Sequence, residues 1–249
     1  MALVHRFEVI DSTNTYAKQI AQQGAEHGTA VLAQSQTGGR GRLGRSFHSP
    51  GGCGIYLSLI LRPQCEASQL MHLTCAVGVA VCDAVEEVTG FRPGIKWTND
   101  LVWGKRKLGG ILTELGFEHG RISYAVAGIG LNCTQSQEDF PPEIRHMAAS
   151  LTCATGKPLS IPQLEDAMIR HIRAMADTLL TDQGNWMERY RADCITIGQQ
   201  ICVVRGDELR YGTALSVDHD GGLVVQYSEG FIETVTSGEV SVRGMYGYV

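Results

Sequence analysis

The chain opens with Arg6-Phe7-Glu8-Val9-Ile10, an alternation of polar and apolar positions that predicts a strand. Asp11 or Ser12 then caps a helix over residues 13–23, which Gly24 ends. Residues 29–35 and 55–61 read as strands. Residues 67–89 carry the period of one long buried helix, and 94–101 begin another strand region. Residues 108–117 and 122–132 pair as a hairpin around Glu118-His119-Gly120. A loop is expected at 139–143, an amphipathic helix at 164–180 and a shorter helix at 186–191. After Gly198 five short β-rich runs alternate with turns such as Asp220-Gly221-Gly222, which suggests a small barrel. The pattern predicts an α+β domain over residues 1–195 and a small β domain over 196–249.

A length of 249 residues allows one large domain or a large and a small one. Hydrophobic residues at 43% and charged residues at 19% supply a core and argue against disorder. The net charge of −5 excludes a global basic field for nucleic acid. No apolar run approaches the ~18 residues of a membrane helix, and Met1-Ala2-Leu3-Val4-His5-Arg6 is no signal peptide. The eight cysteines are scattered, with no C-x-x-C spacing, and no His pair stands at metal-ligand spacing. Reduced thiols in a cytoplasmic protein without membrane contact are the expectation.

Four segments carry candidate chemistry. Residues 38–54 hold seven Gly and three Arg, and no acidic residue stands between Glu26 and Glu66. Glycine lets backbone N–H groups approach a ligand, and arginine offers fork donors to carboxylate or phosphate. An anion cradle fits better than a solvated loop or an RNA-binding patch. Lys96-Trp97-Thr98-Asn99-Asp100-Leu101 precedes Lys105-Arg106-Lys107-Leu108-Gly109-Gly110. Asn99 or Asp100 could ligate a hard cation such as Mg²⁺, and Lys107 stands before an apolar strand. Taken singly, this pair of segments reads as a turn and a hairpin tip. Asp11-Ser12-Thr13-Asn14 reads as a helix cap, and Gly128-Ile129-Gly130-Leu131-Asn132 as a close-packed strand.

In this order and spacing the segments resemble the biotin protein ligases. Residues 39–45 resemble the family's G-R-G-R-x-G-R loop, 96–101 its K-W-P-N-D-L and 107–112 its K-L-x-G-I-L. Residues 11–14 match its D-S-T-N, 128–132 its G-I-G-x-N, and 238–243 its closing G-E-I-S-x-R. Thr98 stands where the family usually has Pro, Leu43 where some members carry another Arg, and Ala148-Ala149 where an aromatic would cover adenine.

The resemblance implies a catalytic domain related to class II aminoacyl-tRNA synthetases and lipoate ligases, with a C-terminal SH3-like barrel. It implies that biotin and MgATP form biotinyl-5′-adenylate, which a lysine of a biotin carboxyl carrier protein then attacks. Such catalysis is positioning and charge stabilisation, without a protein nucleophile. By resemblance, Ser12, Thr13, Asn14, Gln36, Gly39, Arg40, Gly41, Gly109 and Gly110 bind biotin. Arg42 and Lys107 are the catalytic pair, holding the carboxylate and then the adenylate phosphate. Arg45, Lys96, Trp97, Asn99, Asp100, Asn132 and Arg243 serve ATP and the adenylate. The rival readings are a lipoate–protein ligase or octanoyl transferase, and a non-enzymatic anion or nucleic-acid binder. Some members add an N-terminal helix-turn-helix; with Asp11 so early, none is expected here, nor repression by this chain alone. The oligomeric state, a homodimer included, is open.

Overall fold

The computed structural model describes residues 3–236 and the backbone of 241–244. The strands of the first part are β1 (Val4–Ile10), β2 (Ala30–Gln36), β3 (Gly54–Leu61), β4 (Gly94–Lys96), β5 (Asp100–Trp103), β6 (Arg106–Glu118) and β7 (Arg121–Asn132). Its helices are α1 (Thr13–Gln22), α2 (Leu73–Thr89), α3 (Pro142–Arg145), α4 (Leu151–Thr155), α5 (Ile161–Thr178) and α6 (Gln183–Asp193). A second set of strands follows: β8 (Gln200–Arg205), β9 (Glu208–Val217), β10 (Leu223–Tyr227), β11 (Ile232–Val235) and β12 (Ser241–Gly244).

Ser12, extended at φ −157°, caps α1 by accepting from the Thr15 amide at 3.5 Å. The β6–β7 turn places His119 at φ 50° and Gly120 at φ 79°, a left-handed pair whose twist suits a hairpin. The helix expected over 67–89 is interrupted. Glu66 and Gln69 cap each other around a separate turn, Ala67–Leu70, and α2 begins only at Leu73. By length and composition 67–89 could cross a membrane, contrary to the sequence expectation, but α2 is packed into the core. The loop expected at 139–143 contains the start of α3, with proline in its first turn. Helix α4, capped by Ser150 and ended by Gly156 at φ 65°, is too short to show a period.

The first seven strands form one mixed sheet in the order β1-β2-β3-β7-β6-β5-β4, in which only β1 and β2 run parallel. Helix α1 covers one face, packing Ala17 and Ala21 on Val31, Ile60, Tyr124 and Val126. Helices α2, α5 and α6 cover the other and build the main core. Strand β3 is buried along its whole length, as a strand between two layers must be. The last five strands form an antiparallel sheet, β11-β10-β9-β8-β12. Both parts meet at Trp97. Its amide donates to Thr196 Oγ1 and its indole Nε1 to the Gly221 carbonyl, each at 2.9 Å.

Gly109 sits where β6 and β7 press together. A Cβ there would lie 2.4 Å from the Gly130 carbonyl oxygen, a backbone atom that cannot swing aside. Overpacking of this kind costs about 1–3 kcal/mol. For Gly109→Ala we expect a melting temperature lowered by roughly 2–4 °C per kcal/mol. An unchanged transition in differential scanning calorimetry would show that the two strands can part.

Candidate active site

A cavity of about 720 Å³ opens where the first turn of α1, the segment between β2 and β3, and the starts of β5 and β6 converge. Ser12, Thr13 and Asn14 enter from α1, and Gln36 from the end of β2. Arg40, Gly41, Arg42 and Arg45 come from the Gly-Arg loop. Lys96, Trp97, Asn99 and Asp100 come from the β4–β5 turn, and Lys107 and Gly110 from β6. Four segments that are ambiguous singly therefore face one space, with Gly128 and Gly130 of β7 at its back.

Glycine makes these approaches possible. The loop folds on itself: the Gly41 amide donates to the Arg45 carbonyl at 2.7 Å and the Phe47 amide to the Gly39 carbonyl at 2.9 Å. A Cβ on Gly39 would lie 2.5 Å from the Phe47 carbonyl oxygen, and one on Gly130 would strike the Phe47 ring at 2.5 Å. Leu43 holds φ 56° at the loop tip, a left-handed conformation that costs a non-glycine residue of order 1–3 kcal/mol and clusters at functional sites.

Charge is concentrated. Arg40, Arg42, Arg45, Lys96, Lys105, Arg106 and Lys107 line the cavity, against Asp100 as its acidic residue. Lys107 Nζ lies 2.5 Å from Asp100 Oδ1. Arg42 donates to Asn99 Oδ1 at 3.0 Å, which ties the Gly-Arg loop to the β4–β5 turn. Asn99 in turn donates to the Ile111 carbonyl at 2.9 Å. Burial lowers the pKa of Arg42; Asp100 opposes that shift and Arg45 adds to it. A partly buried guanidinium is stabilised by an anion placed beside it. The expected magnesium ligands fare differently. Asn99 Oδ1 and Asp100 Oδ1 both face cationic side chains, and no cluster of three acidic, His or Cys residues exists among the described residues. These residues do not form a protein cage for the metal.

Gly39 and Gly109 stand behind the wall rather than on it. Asn132, expected on the adenine side, does not line the cavity: it is buried and donates to the Ala149 carbonyl at 3.1 Å. That bond helps hold residues 147–149, which also pair with Lys107 through its amide to Met147 O (2.7 Å) and its carbonyl to Ala149 N (2.9 Å). The Arg243 backbone pairs with Cys202 in β12, and its side chain lies outside the described residues. Sequence reasoning missed Phe47, Arg106, His146 and Met147 on the cavity wall. Met147 had a signal, since it precedes the Ala148-Ala149 segment already aligned with the covering loop.

Residues 6–132 match the Biotin/lipoate A/B protein ligase family, and residues 196–243 match the Biotin protein ligase C terminal domain. The bifunctional ligase/repressor BirA of Bacillus subtilis is 33% identical over 94% of this chain and 72% of its own length. The biotin–[acetyl-CoA-carboxylase] ligase of Mycobacterium tuberculosis is 29% identical over 92% of this chain and 85% of its own. The biotin protein ligase of Aquifex aeolicus, solved in complex with biotin and ATP, superposes with a TM-score of 0.82 at 27% identity, covering 98% of this chain and 100% of that one. On sequence and fold together, the chain belongs to the biotin protein ligase family.

Proposed function

We infer that the chain joins biotin to a specific lysine of a biotin carboxyl carrier protein at the expense of ATP. One observation carries the reading: the same cavity is lined by a neutral polar group, in which Thr13 is bonded to Gln36, and by cations, in which Arg42 is bonded to Asn99 and Lys107 to Asp100. A cyclic urea with a carboxylate tail needs the neutral group for its ring and the cations for its tail. Triphosphate needs the cations as well.

In the first step a biotin carboxylate oxygen attacks the α-phosphorus of ATP, forming the acyl phosphate bond, and pyrophosphate leaves. In the second the carrier lysine, as free amine, attacks the acyl carbon; AMP leaves and the amine loses a proton. Lys107 and Arg42 flank the charge that develops on the phosphorus, and their fixed partners Asp100 and Asn99 hold them there before the substrate arrives. Arg45 and Lys96 extend the cationic wall for the remaining phosphates. Magnesium would enter with ATP, and no step is assigned to it. We place residues 1–195 in the catalytic domain and 196–249 in the barrel. The eight cysteines are all unpaired and the reaction requires ATP, which suits a cytoplasmic compartment.

Biotin-dependent pyrophosphate release, with none when lipoate replaces biotin, is the test of the activity. Release with neither acid would overturn it. Two variants test the roles. Lys107→Ala should lower the adenylation rate far more than it weakens biotin binding, because the ammonium meets most negative charge in the transition state. Equal factors in single-turnover kinetics and calorimetry would make Lys107 a plain binding residue. Arg42→Gly should still form the adenylate but release it early. Loss of a charged hydrogen bond costs about 1.5–3 kcal/mol, roughly 10- to 150-fold in residence. Freed adenylate should then biotinylate serum albumin added to the reaction. Albumin labelling at the wild-type level, with adenylate still formed, would exclude the clamp.

A further inference from the structure

The second step of the reaction needs a free amine, and a lysine side chain in water is almost wholly ammonium at neutral pH. Among the described residues lining the cavity, Asp100 and His146 are the bases available at that pH. Asp100 Oδ1 already lies 2.5 Å from Lys107 Nζ. An ordinary carboxylate is also roughly six pH units too weak a base for an alkylammonium. His146 is exposed, and no side-chain hydrogen bond among the described residues fixes its imidazole. A general base oriented by a partner of its own is therefore not what this cavity supplies.

It supplies positive charge. Arg106 Cζ lies 4.3 Å from the centre of the Trp103 ring, and Arg106 Nη1 donates to Gln137 Oε1 at 3.0 Å. Both partners are neutral. Arg40 and Arg45 are exposed and make no side-chain hydrogen bond or ion pair among the described residues. Lys96 faces the same space from the β4–β5 turn, and Lys105 from the turn before β6. These charges already act on one another: burial lowers the Arg42 pKa, Asp100 opposes that shift, and Arg45 lowers it further. In the first step triphosphate answers the cations. Pyrophosphate then takes most of that negative charge away, and the adenylate keeps a single phosphate charge. The carrier lysine arrives at this point. Its nitrogen must come within about 3–3.5 Å of the acyl carbon, which on the reading above lies beside Arg42 and Lys107. An ammonium there is repelled from every side that carries a cation, and a neutral amine is not.

We propose that the cationic wall, relieved of triphosphate once pyrophosphate leaves, drives the proton off the carrier lysine and so activates it for the second step. The proposal rests on the biotin ligase reading above. The ammonium gives one proton to water. The amine lone pair then forms the C–N bond, the acyl C–O bond breaks, AMP leaves with that electron pair, and the nitrogen sheds its extra proton to solvent. The wall thus acts twice, first on an anion that it attracts and then on a cation that it discharges. A unit charge about 8 Å away, at an effective dielectric constant of about 20, moves a proton equilibrium by roughly 1.5 pH units, and by less where salt screens it.

The experiment supplies biotinyl-5′-adenylate directly to the full chain, so that the first step is bypassed. Single-turnover transfer is followed between about pH 6 and 10, with the rate in the absence of protein subtracted. Two acceptors are compared: a biotin carboxyl carrier domain, and hydroxylamine, whose nitrogen is already unprotonated at neutral pH. For the carrier, the wild-type rate should level off with a midpoint about two pH units or more below the 10.4 of ordinary lysine. Lys105→Gln and Arg106→Gln each remove one charge. Each should raise that midpoint by about 0.5–1.5 pH units and slow carrier labelling at pH 7 by roughly 3- to 30-fold. Attack by hydroxylamine should change by less than about twofold, since it has no proton to lose. Lys105→Gln decides the matter alone if Arg106→Gln does not fold. A wild-type midpoint near that of free lysine would overturn the proposal, and so would equal slowing of both acceptors. Loss of carrier labelling alone in His146→Gln would give the proton to that imidazole and overturn it as well. A wild type that labels the carrier at no pH would instead remove the biotin ligase reading.

Discussion

The constraint behind this architecture is electrostatic: a protein of net charge −5 gathers seven of its 21 Lys and Arg side chains around one cavity. Like charges so close repel, and each partly desolvated cation raises the cost. The fold sets fixed polar partners beside two of these cations. Asp100 meets Lys107, and Asn99 meets Arg42 while its amide is anchored on β6. The turn between β4 and β5, which carries both counter-groups, is in turn fixed by Trp97 to the second sheet. Stabilising the site and orienting its cations are thus one task.

Most of the fold was legible because its signals are local. The β6–β7 hairpin shows in two alternating runs around Glu118-His119-Gly120, and α5 shows in its apolar stripe. Five strands follow Gly198 among the described residues, as many as the β-rich runs read there. The failures are also physical. The break before α2 comes from the mutual capping of Glu66 and Gln69, which a hydrophobic period over 67–89 conceals. Helix α4 is five residues long and shows no period at all.

The site was legible for another reason. Glycine interleaved with arginine suits an anion cradle, and fourteen of the eighteen expected residues line the candidate cavity. Asn132 belongs to the strand that backs the cavity, but its side chain turns to Ala149. Glu114 stands in β6 as an ordinary strand glutamate, and its hydrogen bond to Asn14 spans one hundred residues of sequence. Long-range pairing of that kind leaves no mark on local spacing.

The stretch joining the two parts has a consequence for how the protein could be divided. Cys194 bridges to Ile95 in parallel fashion, and the Ile195 amide donates to the Ile95 carbonyl at 2.9 Å. This connector lies along β4, the last strand of the large sheet, and occupies hydrogen-bonding groups that would otherwise form an open edge. Unshielded edges invite pairing with other chains. A cut at residue 195 would therefore separate two folding units in sequence but not in mechanics. The severed first part would keep its cavity residues and the Cys194–Ile195 cover on β4, but it would lose both partners of Trp97.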